Sequence, residues 1–195
     1  MRYLIPVAVL LVATPAWATA PRNLTFEPGG ALPSGWTHVT KPATAGRSYK
    51  AGASTSDAHN NKHGAFLLGV GVPPKDSYGA MQQTSDAVPY RGKRVRFSVW
   101  LRPTDVKRRA GLFLFADDAK GQPLVGDNTQ DRITKGTGGW RQITIVQEIP
   151  QTATTLRYGA MLFGEGRLSV ADVIFEPVGM TVPLTPNVVG AKARP

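Results

Sequence analysis

The chain has 195 residues, no cysteine, 21 glycines and 16 prolines, and a formal charge of +10. The missing cysteines exclude disulfide staples and thiolate metal sites, and the length suffices for one domain with its own core. The positive balance favours anionic partners. The basic residues are scattered, however, with no run of five or six like charges and no nucleic-acid motif, so a nucleic-acid partner is not expected.

Residues 1–18, MRYLIPVAVLLVATPAWA, read as a signal peptide: a short basic start, an apolar run from Tyr3 to Val12, and an A-x-A site at Ala16-Trp17-Ala18. The apolar run is too short to span a membrane, and no other stretch reaches spanning length. The expected organisation is a signal peptide over 1–18, one domain over 19–177, and a flexible, proline-containing tail over 178–195, giving an exported protein of the periplasm or medium.

Short strands follow in order. Asn23–Glu27 and Trp36–Thr40 come first, then Arg47–Ala51, a polar loop from Ser54 to Asn61, Gly64–Val70 and Tyr78–Ser85. The clearest is within YRGKRVRFSVWLR, Tyr90 to Arg102. Val95, Phe97, Val99 and Leu101 fall on one face; Arg94, Arg96, Ser98, Trp100 and Arg102 fall on the other. A polar link at Thr104–Arg109, with a turn of helix around Asp105–Ala110, leads into the apolar strand Ala110–Ala116. A long polar loop covers 122–137, and Trp140–Ile149, Thr155–Phe163 and Arg167–Glu176 complete the set. Evenly spaced strands without amphipathic helices predict an all-β protein, a two-sheet jelly-roll β-sandwich.

The order NLTFE…GW, HGAFLL, YGAMQQ, YRGKRVRFSVWLRP, AGLFLFAD, GDNTQDRITKGTGGW, TTLRYGAMLFGEG and VADVIFEP resembles the galactose-binding-like, carbohydrate-binding jelly-roll modules of bacterial exported proteins. It is similar to the version that precedes peptidase domains of the carboxyl-terminal-processing type. The resemblance covers roughly residues 22–177 and implies the galactose-binding-like fold rather than a ligand. The chain departs from the pattern in the last strand. An aromatic residue and one of two aspartates are replaced, leaving Ser169, Val170, Ala171 and Asp172.

No nucleophile motif is visible, and the three histidines lie in the first third of the chain, so no catalytic residues are assigned. His59 and His63 have helical metal-site spacing, but Asn60, Asn61 and Gly64 favour a solvated loop, and no metal ligands are assigned. Asp127 and Asp131 in GDNTQDR supply oxygens of the kind that hold Ca²⁺, which would be structural; no other cofactor is expected. Trp100 stands on an otherwise polar face, and the 127–132 loop is the most polar cluster in the chain. The expected ligand site is therefore Trp100, Arg96, Arg102, Asn128, Gln130 and Arg132, with ring stacking by the tryptophan and hydrogen bonds from the rest. The expected function is an exported, non-catalytic module binding carbohydrate or another cell-envelope component. The alternatives are an envelope module that contacts another envelope protein without a small ligand, or a hydrolase.

Overall fold

Period-two alternation becomes strand wherever one face can be buried, and the computed structural model contains eleven strands among the residues it describes, 20–132 and 134–189. In chain order they are β1 (Thr37–Lys41), β2 (Tyr49–Ser54), β3 (Gly64–Gly69), β4 (Tyr78–Asp86), β5 (Arg94–Thr104), β6 (Val106–Asp117), β7 (Pro123–Asp127), β8 (Thr134–Gly136), β9 (Arg141–Glu148), β10 (Thr155–Phe163) and β11 (Gly166–Val178). Two 3₁₀ turns, Ala43–Ser48 and Val88–Tyr90, are the only helical segments among the described residues. The expected signal peptide lies outside the described residues.

All pairings are antiparallel, and they make two sheets. The first runs β1-β4-β10-β6-β7, with β8 also on β6; the second runs β2-β3-β11-β5-β9. The two-sheet sandwich expected from the strand spacing is the observed fold. Val95, Phe97, Val99 and Leu101 of β5 are fully buried and face Leu112, Leu114, Leu156, Tyr158 and Leu162 across the sandwich. Phe97 packs edge-on against Tyr158 at 5.4 Å, and Phe175 lies 4.4 Å from the Tyr158 ring.

Several expected boundaries shift for physical reasons. Asn23–Glu27 is not a strand. The Asn23 side chain accepts from Glu27 N at 2.6 Å and donates to the carbonyls of Glu27 and Ser34, each at 2.8 Å, so it closes a turn on itself. Phe26 (φ 59°) then drops into the core against Trp36. The expected polar link and helical turn before Ala110 are strand, because β6 begins at Val106 and pairs with β8. The expected loop 122–137 contains β7 and β8.

Residues 179–189, expected as part of a flexible tail, are hydrogen-bonded across the open side of the sandwich. Thr185 N donates to Val146 O at 2.9 Å on β9, and Val188 N donates to Gly126 O at 2.8 Å on β7. Gln147 Nε2 donates to the carbonyls of Thr185 and Pro186, each at 3.2 Å. The segment thus joins the two edge strands whose unpaired groups would otherwise face solvent.

Candidate functional site

Each sheet presents its outward side chains as a separate surface, and the expected ligand residues divide between them. On the second sheet, Trp100 and Arg102 project from β5 away from the core. The polar segment between β2 and β3 folds back over them. Two carboxylates hold it there.

Asp57 is buried and accepts from Ser169 Oγ and from the Arg167 guanidinium (Nε at 3.3 Å). Burial pushes its carboxyl up, but hydrogen bonds from Arg167, Ser169 and Ser54, with the Arg167 charge, hold it below its ordinary range. Asp172 sits at a bulge of β11, with φ 49° and a register shift between Ala171 and Ile174. The bulge turns its side chain toward the loop. There it takes His59 Nδ1 at 2.7 Å, the backbone N–H groups of Asn60 and Asn61 at 3.0 and 3.3 Å, and Asn61 Nδ2 at 2.6 Å. Here too burial raises the carboxyl, and the bonds from His59, Asn60 and Asn61 outweigh it, so the net direction is down.

The consequence for Trp100 is direct. The His59 ring stacks on it with centroids 4.2 Å apart and planes at 23°, and the Trp140 ring packs tilted against His59 at 5.2 Å. The Arg102 guanidinium lies 4.8 Å over Trp140 and donates to Ser56 O at 3.2 Å. Trp100 is therefore half-buried beneath its own loop rather than laid open as a platform. Arg96 lies further along the same face and is ion-paired with Glu176. His59, expected in a solvated loop, is a packed element of this cluster, and His63 lies 3.3 Å from Glu27.

Asn128, Gln130 and Arg132 are on the opposite face of the sandwich, in the loop after β7. Asp127 is buried and accepts from Thr129 N at 2.8 Å and from Arg132 Nη2 at 2.5 Å; Arg132 Nη1 also donates to Asp131 at 2.6 Å. Thr129 is seated on β6, taking Leu112 N at 3.0 Å and donating to Leu112 O at 3.2 Å. Gly111 makes the seat: a Cβ there would lie 2.2 Å from Thr129 Oγ1. Arg132 is thus used by its own loop, while Asn128 and Gln130 are brought to the lip of a small open pocket with Arg109, Thr129, Met161 and Phe163.

That pocket is one end of a broader surface. The registers of β1, β4, β10 and β6 place Lys41, Tyr78, Phe163 and Arg109 in one cross-strand row, and Val39, Ala80, Met161 and Gly111 in the next. Further rows contain Gln82, Gly159 and Phe113, then Thr84, Arg157 and Phe115. Tyr78, Gln82, Phe115, Arg157, Met161 and Phe163 are all half-exposed. Tyr78 and Phe163 are 5.1 Å apart, and the Arg109 guanidinium lies 4.1 Å over the Phe163 ring. The small residues Ala80 and Gly159 lower the middle of the sheet between these rings, while Gly111 lies beneath Thr129. The outcome is a shallow apolar trough with polar ends.

The six expected residues thus form no single site. Tyr78, Arg109, Met161 and Phe163 were absent from the expectation. A signal for them existed: Thr155–Phe163 is apolar on both faces, with Met161 and Phe163 opposite Leu156, Tyr158, Ala160 and Leu162. An antiparallel sheet that faces water ordinarily carries polar residues on that side.

No protein-family model matches the chain. A curated relative is the uncharacterized HTH-type transcriptional regulator YbfP of Bacillus subtilis (strain 168), 29 % identical over 137 residues, which are 70 % of this chain and 46 % of that protein. The chain spans less than half the length of this relative. Its described residues form no α-helix and so contain no helix-turn-helix. Among solved structures, similar folds are the xylan-binding domain from carbohydrate-binding module family 22 (TM-score 0.56, 16 % identity, 81 % of this chain and 94 % of that one) and the corresponding xylan-binding domain of Paenibacillus barcinonensis Xyn10C (TM-score 0.54, 12 % identity, 80 % and 93 %). The enzymatically active domain of bacteriophage CBA120 tailspike protein 4 is also similar (TM-score 0.57, 15 % identity), with 74 % of this chain matching 20 % of that one. At these identities the likeness is one of fold: a β-sandwich of the kind used by carbohydrate-binding modules.

Proposed function

We propose that the chain is a non-catalytic carbohydrate-binding module, exported to the cell envelope, that takes its glycan in the trough on the outer face of the first sheet. The observation that carries this reading is the half-exposed group of Tyr78 and Phe163 with Met161 in the adjacent row, and Arg109, Asn128 and Gln130 at one end. Pyranose rings have apolar C–H faces that lie on aromatic and thioether side chains, while their hydroxyls seek donors and acceptors at the edges. The fold shared with xylan-binding domains supports the same reading. The signal-like pattern of residues 1–18 supports export. His59 and His63 are engaged by Asp172 and Glu27 rather than by a serine, which fits a binding role better than a nucleophile–base pair.

The Trp100 cluster is assigned a structural role in this reading, because His59 is stacked on Trp100 and tied in place by Asp172, with Trp140 packed against it. The test is isothermal titration against envelope and plant polysaccharide fragments, chosen from a glycan array. Binding is expected to weaken at least tenfold, ~1.4 kcal/mol, in Phe163→Ala, and to be unchanged in Trp140→Ala. Failure of every glycan to bind would reject the function. Loss in Trp140→Ala with retention in Phe163→Ala would move the site to the other sheet.

A further inference from the structure

Resting on that carbohydrate reading, we infer that the glycan is acidic, a polyuronate whose carboxylates are received by Arg109 and Lys41 at the two ends of the trough. The inference comes from the charges of this face taken one by one. Three of its acids are paired with arginines, and the fourth, Asp86, accepts from Val88 N at the end of β4 remote from Tyr78. Asp117 is held bidentately by Arg157 Nε and Nη2, with Nη2 to Oδ1 at 3.0 Å. Asp127 and Asp131 are both held by Arg132. These contacts use up Arg157 and Arg132 as well; the Asp117 pair is neutral, and the Asp127–Asp131–Arg132 group keeps one net negative charge, carried at the exposed Asp131 side of the loop.

Arg109 and Lys41 are the remainder. Neither has a carboxylate within ion-pair distance among the described residues. Arg109 is not merely loose. Its guanidinium is laid on the Phe163 ring at 4.1 Å, which orients its plane and leaves its N–H edges without an acceptor among the described residues. A planar fork held in this way matches a carboxylate bidentately, and the arginine pays little rotamer entropy on binding. Asn128 and Gln130 stand beside it in the same pocket as neutral donors and acceptors for hydroxyls.

Lys41 is the far member of the same row, Lys41↔Tyr78↔Phe163↔Arg109. The row crosses four neighbouring strands, so the backbone positions of its two basic residues are separated by about 14 Å. Two aromatic rings lie between them. The order cation, ring, ring, cation suits an oligomer whose sugar faces are apolar and whose carboxylates recur along its length. A neutral glycan would use the rings and leave both cations unanswered. The formal charge of +10 gives the long-range attraction such a polymer would feel, but not its placement.

The experiment compares oligogalacturonate with the same oligomer after reduction of its carboxyl groups, titrated into the full chain at low and moderate salt. The acidic form is expected to bind at least tenfold more tightly, and the advantage to shrink as salt rises. Arg109→Gln is expected to remove most of the advantage, Lys41→Gln part of it, and Lys50→Gln on the second sheet none. Equal affinity for the two oligomers overturns the acidic ligand while leaving the carbohydrate reading in place. Binding of neither oligomer, nor of any other glycan, overturns both. An acidic preference that survives in the Arg109→Gln, Lys41→Gln double variant, or that falls equally in Lys50→Gln, reports bulk charge and also overturns the inference. Circular dichroism confirms that each variant is folded.

Discussion

Asp172 shows how much one residue of this chain controls. It stands at φ 49°, a backbone region that Asp and Asn tolerate and most residues avoid, and it receives four donors from a segment more than a hundred positions earlier. Asp172→Asn is the informative change, since asparagine keeps the backbone preference and one acceptor while removing the charge. The amides of Asn60 and Asn61 are expected to exchange with solvent about five- to tenfold faster, with a red shift in tryptophan emission as His59 leaves Trp100. Acid should act in the same direction. Asp57 and Asp172 are both held below the ordinary carboxylate range, so their contribution is complete above about pH 4 and is lost as pH falls through the lowered values. Hydrogen exchange between pH 5 and pH 2.5 is therefore expected to show residues 55–63 opening before the β5–β11 pairing. Simultaneous opening would mean that the two carboxylates do not govern the loop.

At the scale of elements, the seat of Thr129 on β6 is the point where a loop is fixed to the trough. Gly111→Ala would place a methyl group 2.2 Å from Thr129 Oγ1. The hydroxyl would have to leave Leu112, releasing residues 127–132 from the strand. The expected cost is about 2 kcal/mol, roughly 6 °C in Tm, measured by thermal unfolding. An unchanged Tm would mean that the loop is held by Asp127 and Arg132 alone. Elements of this kind were unequally legible in the sequence. β5 was readable because it buries one clean face, and alternation reports burial directly; β10 was readable as a short apolar run between turns. The start of β6 was not, because Lys107, Arg108 and Arg109 face solvent and read as a polar link; only the pairing with β8 makes them strand. The polar-face position of Trp100 was readable, but its cover was not, since His59 arrives from a loop 41 positions earlier. The row Tyr78, Phe163, Arg109 has no local signature at all. It exists only when three strands are in register.

At the scale of the whole molecule, the sandwich keeps two differently built surfaces apart. One is closed by its own chain: the 54–63 loop is tied by Asp57 and Asp172, and residues 179–189 bridge the edges of β9 and β7. The other is left open over Met161 and Phe163. Between them lies the core of both sheets, about 10 Å thick, packed with side chains such as Leu101, Leu112 and Tyr158 that have no exposed surface. A packed core of this kind transmits little unless it has two arrangements, and no buried polar network links the Asp172 loop to the Thr129 loop among the described residues. The two faces should therefore respond independently. Asp172→Asn is expected to free the loop without altering glycan affinity, Phe163→Ala to weaken glycan binding without altering exchange at Asn60 and Asn61, and the double variant to show the sum of the two stability changes to within about 0.5 kcal/mol. Titration, hydrogen exchange and thermal unfolding on the three variants form a complete cycle. A coupling beyond that margin, or a shift in glycan affinity caused by Asp172→Asn alone, would show that the covered face regulates the open one.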